Sequence, residues 1–179
     1  TLGSYWEANM ELIDLIPEFN LYEEYWKIYT KCDTIEPQYI APGATVERSI
    51  IGEASEIYGT VMNSVIGPNV CIGKDTVIRD AIIMKDSVIG TNCTIDKSII
   101  AENCRVGNGC VLGAGEEAPN EWNESVYSFG LATVGEDSVI PDGVTIGKNT
   151  AISGVTTAED YKKAHLASGG VIIKAGEDR

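Results

Sequence analysis

The feature that most constrains the fold is an internal repeat with a period of seventeen residues in the middle of the chain. Aliphatic residues recur at intervals of six, six and five residues, and one three-residue motif returns once per period: Ser64-Val65-Ile66, Ala81-Ile82-Ile83 and Ser98-Ile99-Ile100. Ser49 begins an earlier copy that is shorter by two residues. Hexapeptide spacing with an aliphatic residue followed by glycine, as at Ile66-Gly67, is typical of a parallel β-helix with triangular coils. We therefore predict a mainly β fold, a left-handed parallel β-helix.

The residues between the aliphatic positions predict the corners of the coils. Equivalent positions in a solenoid need the same backbone shape in every coil. Two columns satisfy this requirement with residue types that tolerate a left-handed φ: Asn69, Asp86 and Asn103, and then Asp75, Asn92 and Gly109. The aliphatic columns should point inward and fill the prism.

A second block of the repeat follows an interruption. Four aliphatic residues are again six apart: Val134, Ile140, Ile146 and Ile152. We therefore assign the β-helix to residues 37–155, with an inserted loop at 114–130 that is rich in Glu, Asn and Gly. Long loops in compact domains are often functional or form interfaces.

The flanking segments predict one helix at each end. Ser4 and Glu7 have the spacing of a capping box, so we predict a helix over residues 5–16 that ends at Pro17. Its apolar stripe and the aromatic stretch at 21–29 need a partner surface. Either they pack on the β-helix, or residues 1–36 are a helix and linker trailing from a domain that precedes Thr1; we favour the second. Residues 156–179 are predicted to cap the open end, with a helix over 157–167 and a strand over 169–174.

Charge excludes several classes of partner. The chain has 13 basic and 27 acidic side chains and a formal net charge of −14. Such a chain repels phosphate backbones and anionic lipids, so we expect binding neither to nucleic acid nor to membranes. Residues 1–20 lack the basic start and apolar centre of a signal peptide, and no apolar run approaches the roughly 20 residues that span a bilayer. We expect a soluble cytoplasmic protein.

The five cysteines predict buried thiols. They lie at positions 32, 71, 93, 104 and 110 and lack C-x-x-C spacing. Cys93 and Cys110 are one period apart and should stack on successive coils, near enough for a disulfide in principle. In a reducing cytosol we expect free thiols.

The sequence offers few groups for catalysis. A hexapeptide acyltransferase needs a histidine in a coil or its loop, but the one histidine, His165, falls in the predicted tail helix. Three histidines for a zinc site are absent, as is a G-x-S-x-G motif. The run from Gly107 to Gly115 lacks the glycine and lysine positions of a phosphate loop. We therefore expect neither catalytic residues nor a metal site in this chain.

Charged side chains that are one period apart should pair across coils. These are Arg79 with Asp96, Asp80 with Lys97 and Lys85 with Glu102. A solvated ladder of such pairs is weak, about 0.2–1 kcal/mol each. The alternative to a solvated ladder is a functional role for basic residues, an anion site for a phosphorylated effector. Its candidate residues are Lys97, Arg105 and Lys174.

Several segments resemble bacterial glucose-1-phosphate adenylyltransferase, also called ADP-glucose pyrophosphorylase. They are Gly3-Ser4-Tyr5-Trp6-Glu7-Ala8-Asn9-Met10-Glu11-Leu12, Trp26-Lys27-Ile28-Tyr29-Thr30, Pro37 to Ala44, Val139 to Gly147 and Leu166 to Ile173. The resemblance implies that this is the C-terminal region of an enzyme whose separate N-terminal catalytic domain carries the sites for ATP, Mg²⁺ and the sugar phosphate. The family makes ADP-glucose and pyrophosphate from ATP and glucose 1-phosphate for glycogen synthesis. By the same resemblance, this fragment is inactive alone and needs no cofactor.

The resemblance also implies a role in assembly and regulation. It implies a homo-oligomer, a tetramer in the full-length protein, and an allosteric site between β-helix and catalytic domain that binds sugar phosphates or other anions. Lys97 falls near a position that is basic in family members with such a site. Some family members are non-catalytic regulatory subunits.

Two other classes of function stay open at this point. The chain could be a free-standing hexapeptide acyltransferase that uses His165 as its base. It could also be a β-helix scaffold subunit of a nucleotidyltransferase-like complex.

Overall fold

Short parallel strands in three sheets make up most of the structure, a computed structural model that describes residues 1–14, 16–18, 20–21, 24–26 and 35–174. Sheet 1 contains β1 (Tyr39–Ile40), β4 (Glu56–Ile57), β7 (Cys71–Ile72), β10 (Val88–Ile89), β13 (Arg105–Val106) and β16 (Val139–Ile140). Sheet 2 contains β2 (Thr45–Glu47), β5 (Thr60–Met62), β8 (Val77–Arg79), β11 (Thr94–Asp96), β14 (Val111–Ala114), β17 (Thr145–Gly147) and β19 (His165–Leu166). Sheet 3 contains β3 (Ile50–Ile51), β6 (Val65–Ile66), β9 (Ile82–Ile83), β12 (Ser98–Ile100), β15 (Ala132–Val134), β18 (Thr150–Ser153) and β20 (Val171–Ile173).

The register of the sheets follows the sequence repeat. Val88 pairs with Arg105, which lies one full period later in the chain. Thr45 pairs with Thr60, as the shorter early copy predicts. Ser98 pairs with Ala132, two periods later, because the insertion adds one period of chain between them. The predicted parallel β-helix is therefore confirmed, and the short early coil and the longer later coils are in register apart from a bulge in β14.

The core is a set of stacked aliphatic columns. The strands, of two to four residues, turn aliphatic side chains inward, and most of the inward isoleucines are fully buried, including Ile66, Ile83 and Ile100 with at most 1% of their surface exposed. No coil can bury these side chains alone, because the coils above and below supply most of the contacts.

The predicted corners adopt the expected backbone conformation. Asn69, Asp86 and Asn103 have φ of 55°, 60° and 55°. Their side chains also form ladders between coils, since the Asn69 amide donates to Asp86 at 2.8 Å. Alternating Asn and Asp gives each carboxylate an amide donor instead of a like-charged neighbour.

Buried hydroxyl groups at other corners join one coil to the next, which the sequence analysis did not foresee. Ser87 Oγ donates to the carbonyl of Ala101 at 3.0 Å and accepts from the amide of Cys104 at 3.1 Å. Thr76 Oγ1 binds Gly90 and Cys93 in the same way, at 2.6 and 3.0 Å. Each hydroxyl thus satisfies two backbone groups of the next coil that would otherwise be buried without a partner.

Three cysteines occupy equivalent corner positions. Cys93, Cys104 and Cys110 are buried and free, as predicted, and each thiol lies 3.1–3.2 Å from a carbonyl oxygen of the next coil. Burial raises the pKa of the Cys104 thiol to about 11. Cys71 is free but half-buried, and burial raises its pKa as well. Cys32 lies outside the described residues, as does most of the predicted aromatic stretch at 21–29.

The N-terminal helix begins earlier than predicted. Helix α1 spans Leu2–Glu11, and its N-cap is Thr1, whose side chain accepts from the Ser4 amide at 3.1 Å. The predicted capping box at Ser4 and the bounds 5–16 were therefore wrong. Thr1 supplies the cap three residues upstream of Ser4. At its other end the helix ends at Glu11, so Ile16, which is 88% exposed, lies outside it.

The predicted C-terminal helix at 157–167 was also wrong. Only a 3-10 turn forms, at Ala158–Asp160, and His165 lies in strand β19. The Thr157–Asp160 capping interactions close the turn. The chain does not continue as a helix after this turn. Strands β19 and β20 pair instead with β17 and β18, whose edges would otherwise leave backbone groups unpaired. The predicted terminal strand is confirmed as β20.

The residues around this turn close the end of the core. Tyr161 and Leu166 pack against the last aliphatic residues, and the Tyr161 hydroxyl lies 3.1 Å from Thr156 Oγ1. Lys174 Nζ lies 2.7 Å from Asp160 Oδ2, which ties the turn to the end of β20. Among the described residues, no helix has the length and apolar character needed to span a membrane.

The corner hydroxyls can be tested at Ser87. We expect Ser87→Ala to lower the free energy of unfolding by about 1–3 kcal/mol, because it leaves a buried amide and a buried carbonyl without partners. Cys104→Ser is the matched control, since it places a hydroxyl in the same type of corner and should change stability little. Urea unfolding measures both, and equal stabilities of Ser87→Ala and wild type would contradict this role.

The Asp160–Lys174 pair predicts a pH dependence of the cap. The hydrogen bond from Lys174, with that from the Thr157 amide, lowers the pKa of Asp160 below its usual 3.8. A lowered folded-state pKa contributes stability above the unfolded pKa, and that contribution is lost as the pH falls through the folded value. We therefore expect Asp160→Asn to lower the melting temperature more at pH 7 than at pH 2. Glu159→Gln is the control, and the same pH profile in both variants would contradict the role of the pair.

Candidate functional site

One of the three faces of the β-helix is covered by other parts of the chain. Helix α1 lies on the outer side of sheet 3, where Met10 packs with Ile82 and Ile99. Leu131 from the inserted loop is a fully buried member of the same apolar cluster, and Trp6 and Ile13 of the N-terminal segment pack against it. Outward-facing β-branched residues on sheet 3 therefore form a second, smaller core between the sheet, the helix and the loop.

Lys97 lies where these three elements meet. Its ammonium is 4.3 Å from the ring centre of Phe129 in the loop and 5.5 Å from that of Trp6 in α1. The two rings contact each other at 5.9 Å with an angle of 59°. Trp6 Nε1 donates to the carbonyl of Asp80 at 2.7 Å, which fixes the indole over the corner. We call Trp6, Asp80, Lys97 and Phe129 the junction cluster.

The backbone at Lys97 is in an unfavourable conformation. Its φ is 41°, in the left-handed region that a lysine adopts at a cost of about 1 kcal/mol. Equivalent corners carry Asn63 and Asp80, which tolerate this conformation better, and also Arg48, whose φ is 42°. A basic residue therefore occurs twice at this corner, and Lys97 is distinguished by the ring contacts of its side chain.

The inserted loop is held by two asparagines. Asn120, which is buried, accepts from the amides of Trp122 and Asn123 at 3.0 and 2.9 Å and donates to the carbonyl of Asn149 at 2.7 Å. Asn149 in turn binds the Gly130 amide and the Ala118 carbonyl, at 2.7 and 3.0 Å. Both ends of the loop are thus fixed to the β17–β18 corner. The loop runs from 115 to 131, one residue later than predicted, because Ala114 still pairs in β14.

The structure separates the three predicted effector residues. Lys97 lies at the junction cluster, Arg105 is on β13 in sheet 1, and Lys174 follows β20 at the last coil, paired with Asp160. They lie on different faces or levels of the β-helix and do not form one cluster. Effector binding at these residues stays a prediction.

The predicted charge pairs form only in part. Lys85 and Glu102 form an ion pair at 3.2 Å, as predicted. Arg79 and Asp96 are neighbours in register, but they are not among the ion pairs of the described residues. The predicted pair of Asp80 and Lys97 does not form, because Asp80 accepts from the Asn63 amide and Lys97 turns to the aromatic rings. Aromatic partners from distant segments decided the orientation of Lys97, and the period alone did not reveal them.

The contacts of the junction cluster connect helix α1, the Asp80 and Lys97 corners and the inserted loop. His165 lies exposed on β19, the last strand of sheet 2, and has no nucleophile or carboxylate partner among the contacts of the described residues. The described part of the chain also contains no group of three or more His, Cys, Asp or Glu side chains that could hold a metal ion.

Comparison with known proteins gives a consistent result. Residues 35–134 match the family model "GlmU-like, C-terminal hexapeptide". Glucose-1-phosphate adenylyltransferases of Lachnospira eligens and Acetivibrio thermocellus are 63% and 44% identical to the chain, each over 99% of the chain and 42% of the relative. That of Thermotoga maritima is 50% identical over 97% of the chain and 41% of the relative. The chain therefore spans about two fifths of the length of these curated relatives.

The indole hydrogen bond of the junction cluster can be tested at Trp6. Trp6→Phe keeps a ring beside Phe129 but removes the donor to Asp80, so we expect a loss of about 1 kcal/mol in the docking of α1. Amide hydrogen exchange within α1 should be faster by the factor to which this loss of free energy corresponds. Exchange in the central coils should not change. Tyr5→Phe, one residue away and half exposed, is the control. Unchanged exchange in Trp6→Phe would show that apolar packing alone holds the helix.

Proposed function

The chain belongs to the GlmU-like C-terminal hexapeptide family, and we propose that it is the C-terminal oligomerisation and regulatory domain of a glucose-1-phosphate adenylyltransferase. The observation that carries the proposal is the pattern of similarity: nearly the whole chain matches these enzymes, but it covers only about two fifths of them. The matching part folds as a β-helix whose described residues offer packing surfaces and no catalytic constellation.

The proposed reaction belongs to the longer polypeptide. It would join ATP and glucose 1-phosphate to give ADP-glucose and pyrophosphate, with Mg²⁺ bound in the part that precedes this chain. The described residues of this chain form no candidate metal group, so we assign none of them to the ion and derive no step through it. Alone, the chain should show no turnover.

The proposed contribution to assembly rests on the faces that the chain leaves uncovered. The first coil exposes Tyr39 and Ile40 to 50% and 41%, and the second coil exposes Tyr58 to 39%. The two tyrosine rings contact each other across the coils, with ring centres 6.1 Å apart. Exposed aromatic residues near a sheet edge are typical of interfaces. We propose that the full-length protein is a homo-oligomer, a tetramer as the family resemblance implies.

The proposed contribution to regulation rests on the junction cluster. Because α1 is the element by which the chain continues from any preceding domain, a change at Lys97 would act directly on the connection between that domain and the β-helix. A sugar phosphate or another anion is the effector class that an ammonium can bind. The alternative of an acyltransferase with His165 as base gains no support from the exposed edge position of that residue.

Activity of the longer polypeptide tests the proposal. We expect the longer polypeptide to convert ADP-glucose and pyrophosphate to ATP and glucose 1-phosphate, and this chain alone to give no conversion. Light scattering on both proteins measures the oligomeric state. Turnover by the isolated chain, or a longer polypeptide that lacks both activity and self-association, would contradict the proposal.

A further inference from the structure

The inserted loop combines acidic and aromatic side chains. Between residues 115 and 131 it contains four glutamates and three aromatic residues but no lysine, arginine or histidine: Glu116, Glu117, Glu121, Glu124, Trp122, Tyr127 and Phe129. Such a surface repels anions and attracts cationic side chains. Its chemistry is therefore the opposite of that expected for a sugar-phosphate site.

Trp122 is the most exposed aromatic side chain of this loop. It is 54% exposed and stacks on Tyr127, with ring centres 5.5 Å apart and planes at 26°. The hydrogen bond from its amide to Asn120 fixes the backbone at 3.0 Å. The free face of the indole is thus presented on an ordered loop, so a partner would lose little conformational entropy of the loop on binding.

The loop already binds one cation within the chain. Phe129 receives the Lys97 ammonium at 4.3 Å. Tryptophan is the better acceptor for such a contact, but no lysine or arginine lies over the Trp122 ring in the described part of the chain. Glu121 and Glu124 flank Trp122 in sequence and are exposed. The site therefore has an aromatic face and carboxylates for a cationic group that the described residues do not supply.

The start of helix α1 lies beside this loop. A Cβ atom placed on Gly3 would lie 3.5 Å from Cγ of Phe129. Residues that precede Thr1 in a longer polypeptide must therefore begin next to the loop. Since the relatives are more than twice as long as this chain, most of their length is available to contact that surface.

From these observations we infer that loop 115–131 is a docking surface for the part of the longer polypeptide that precedes Thr1. Trp122 receives a lysine or arginine side chain from that part, and Glu121 and Glu124 pair with its charge. The inference rests on the proposed function, because it requires that this chain continue from a preceding domain. It adds a contact that holds that domain against the β-helix independently of α1.

Hydrogen exchange on the longer polypeptide tests this docking. We expect Trp122→Ala to accelerate exchange about tenfold in peptides that precede Thr1, because it releases a contact between the two domains. Trp122→Phe keeps an aromatic face and should give a smaller change in the same peptides. Glu121→Gln combined with Glu124→Gln should accelerate exchange in those peptides without altering the aromatic stack.

Controls separate this contact from other effects. Glu47→Gln combined with Glu53→Gln, at two exposed carboxylates far from the loop in sequence, should leave those peptides unchanged. The inference is overturned if Trp122→Ala changes no peptide, if it affects only residues 115–131, or if the affected peptides lie elsewhere in 35–174, which would indicate a second copy. An active wild type with any of these results refutes the docking alone, whereas an inactive wild type refutes the proposed enzyme.

Discussion

The structure depends on parallel backbone hydrogen bonding between consecutive coils, which places equivalent residues about 4.8 Å apart along each column. Strands of two to four residues have no stability of their own, so every coil is stabilised by its two neighbours. The same side chain must therefore suit the same position several times, in the core and at the corners. The Asn–Asp ladders and the buried hydroxyls follow from this demand, since each makes its hydrogen bonds with the coil next to it.

This constraint explains which parts of the fold could be predicted. The columns of isoleucine and the corner residues are visible in the sequence because they repeat, and sheets, register and insertion followed from them. The flanks do not repeat, so only local propensity was available there. It placed the helix start at Ser4 although Thr1 caps it, and it missed that β19 could pair with β17. Lys97 was assigned to Asp80 by periodicity, but its aromatic partners come from segments that the repeat does not relate.

The insertion adds one full period of chain and disturbs the register at one point. β12 pairs with β15 across it, and the strands of the next coil are displaced by two periods instead of one, apart from a bulge between Leu112 and Ala114 just before the loop. The strands of the β-helix therefore pair across the loop, and Asn120 and Asn149 attach it to one corner. Because the loop itself takes no part in the strand pairing, its side chains are free to make contacts outside the repeat. This accounts for the concentration of Trp122, Tyr127 and Phe129 there.

Sheet 3 differs from the other two faces of the β-helix in the contacts made on its outer side. Sheet 3 is covered by α1 and the loop, and both meet at Lys97, whose backbone adopts a left-handed conformation that asparagine would tolerate better. Lysine at this corner gives up some backbone stability and gains two ring contacts that connect helix, corner and loop. Because α1 leads towards any preceding domain, a displacement of the Lys97 side chain would loosen that connection first and leave the stacked core unchanged. A connection that depends on one side chain, beside coils that do not depend on it, suits the regulatory role that we propose.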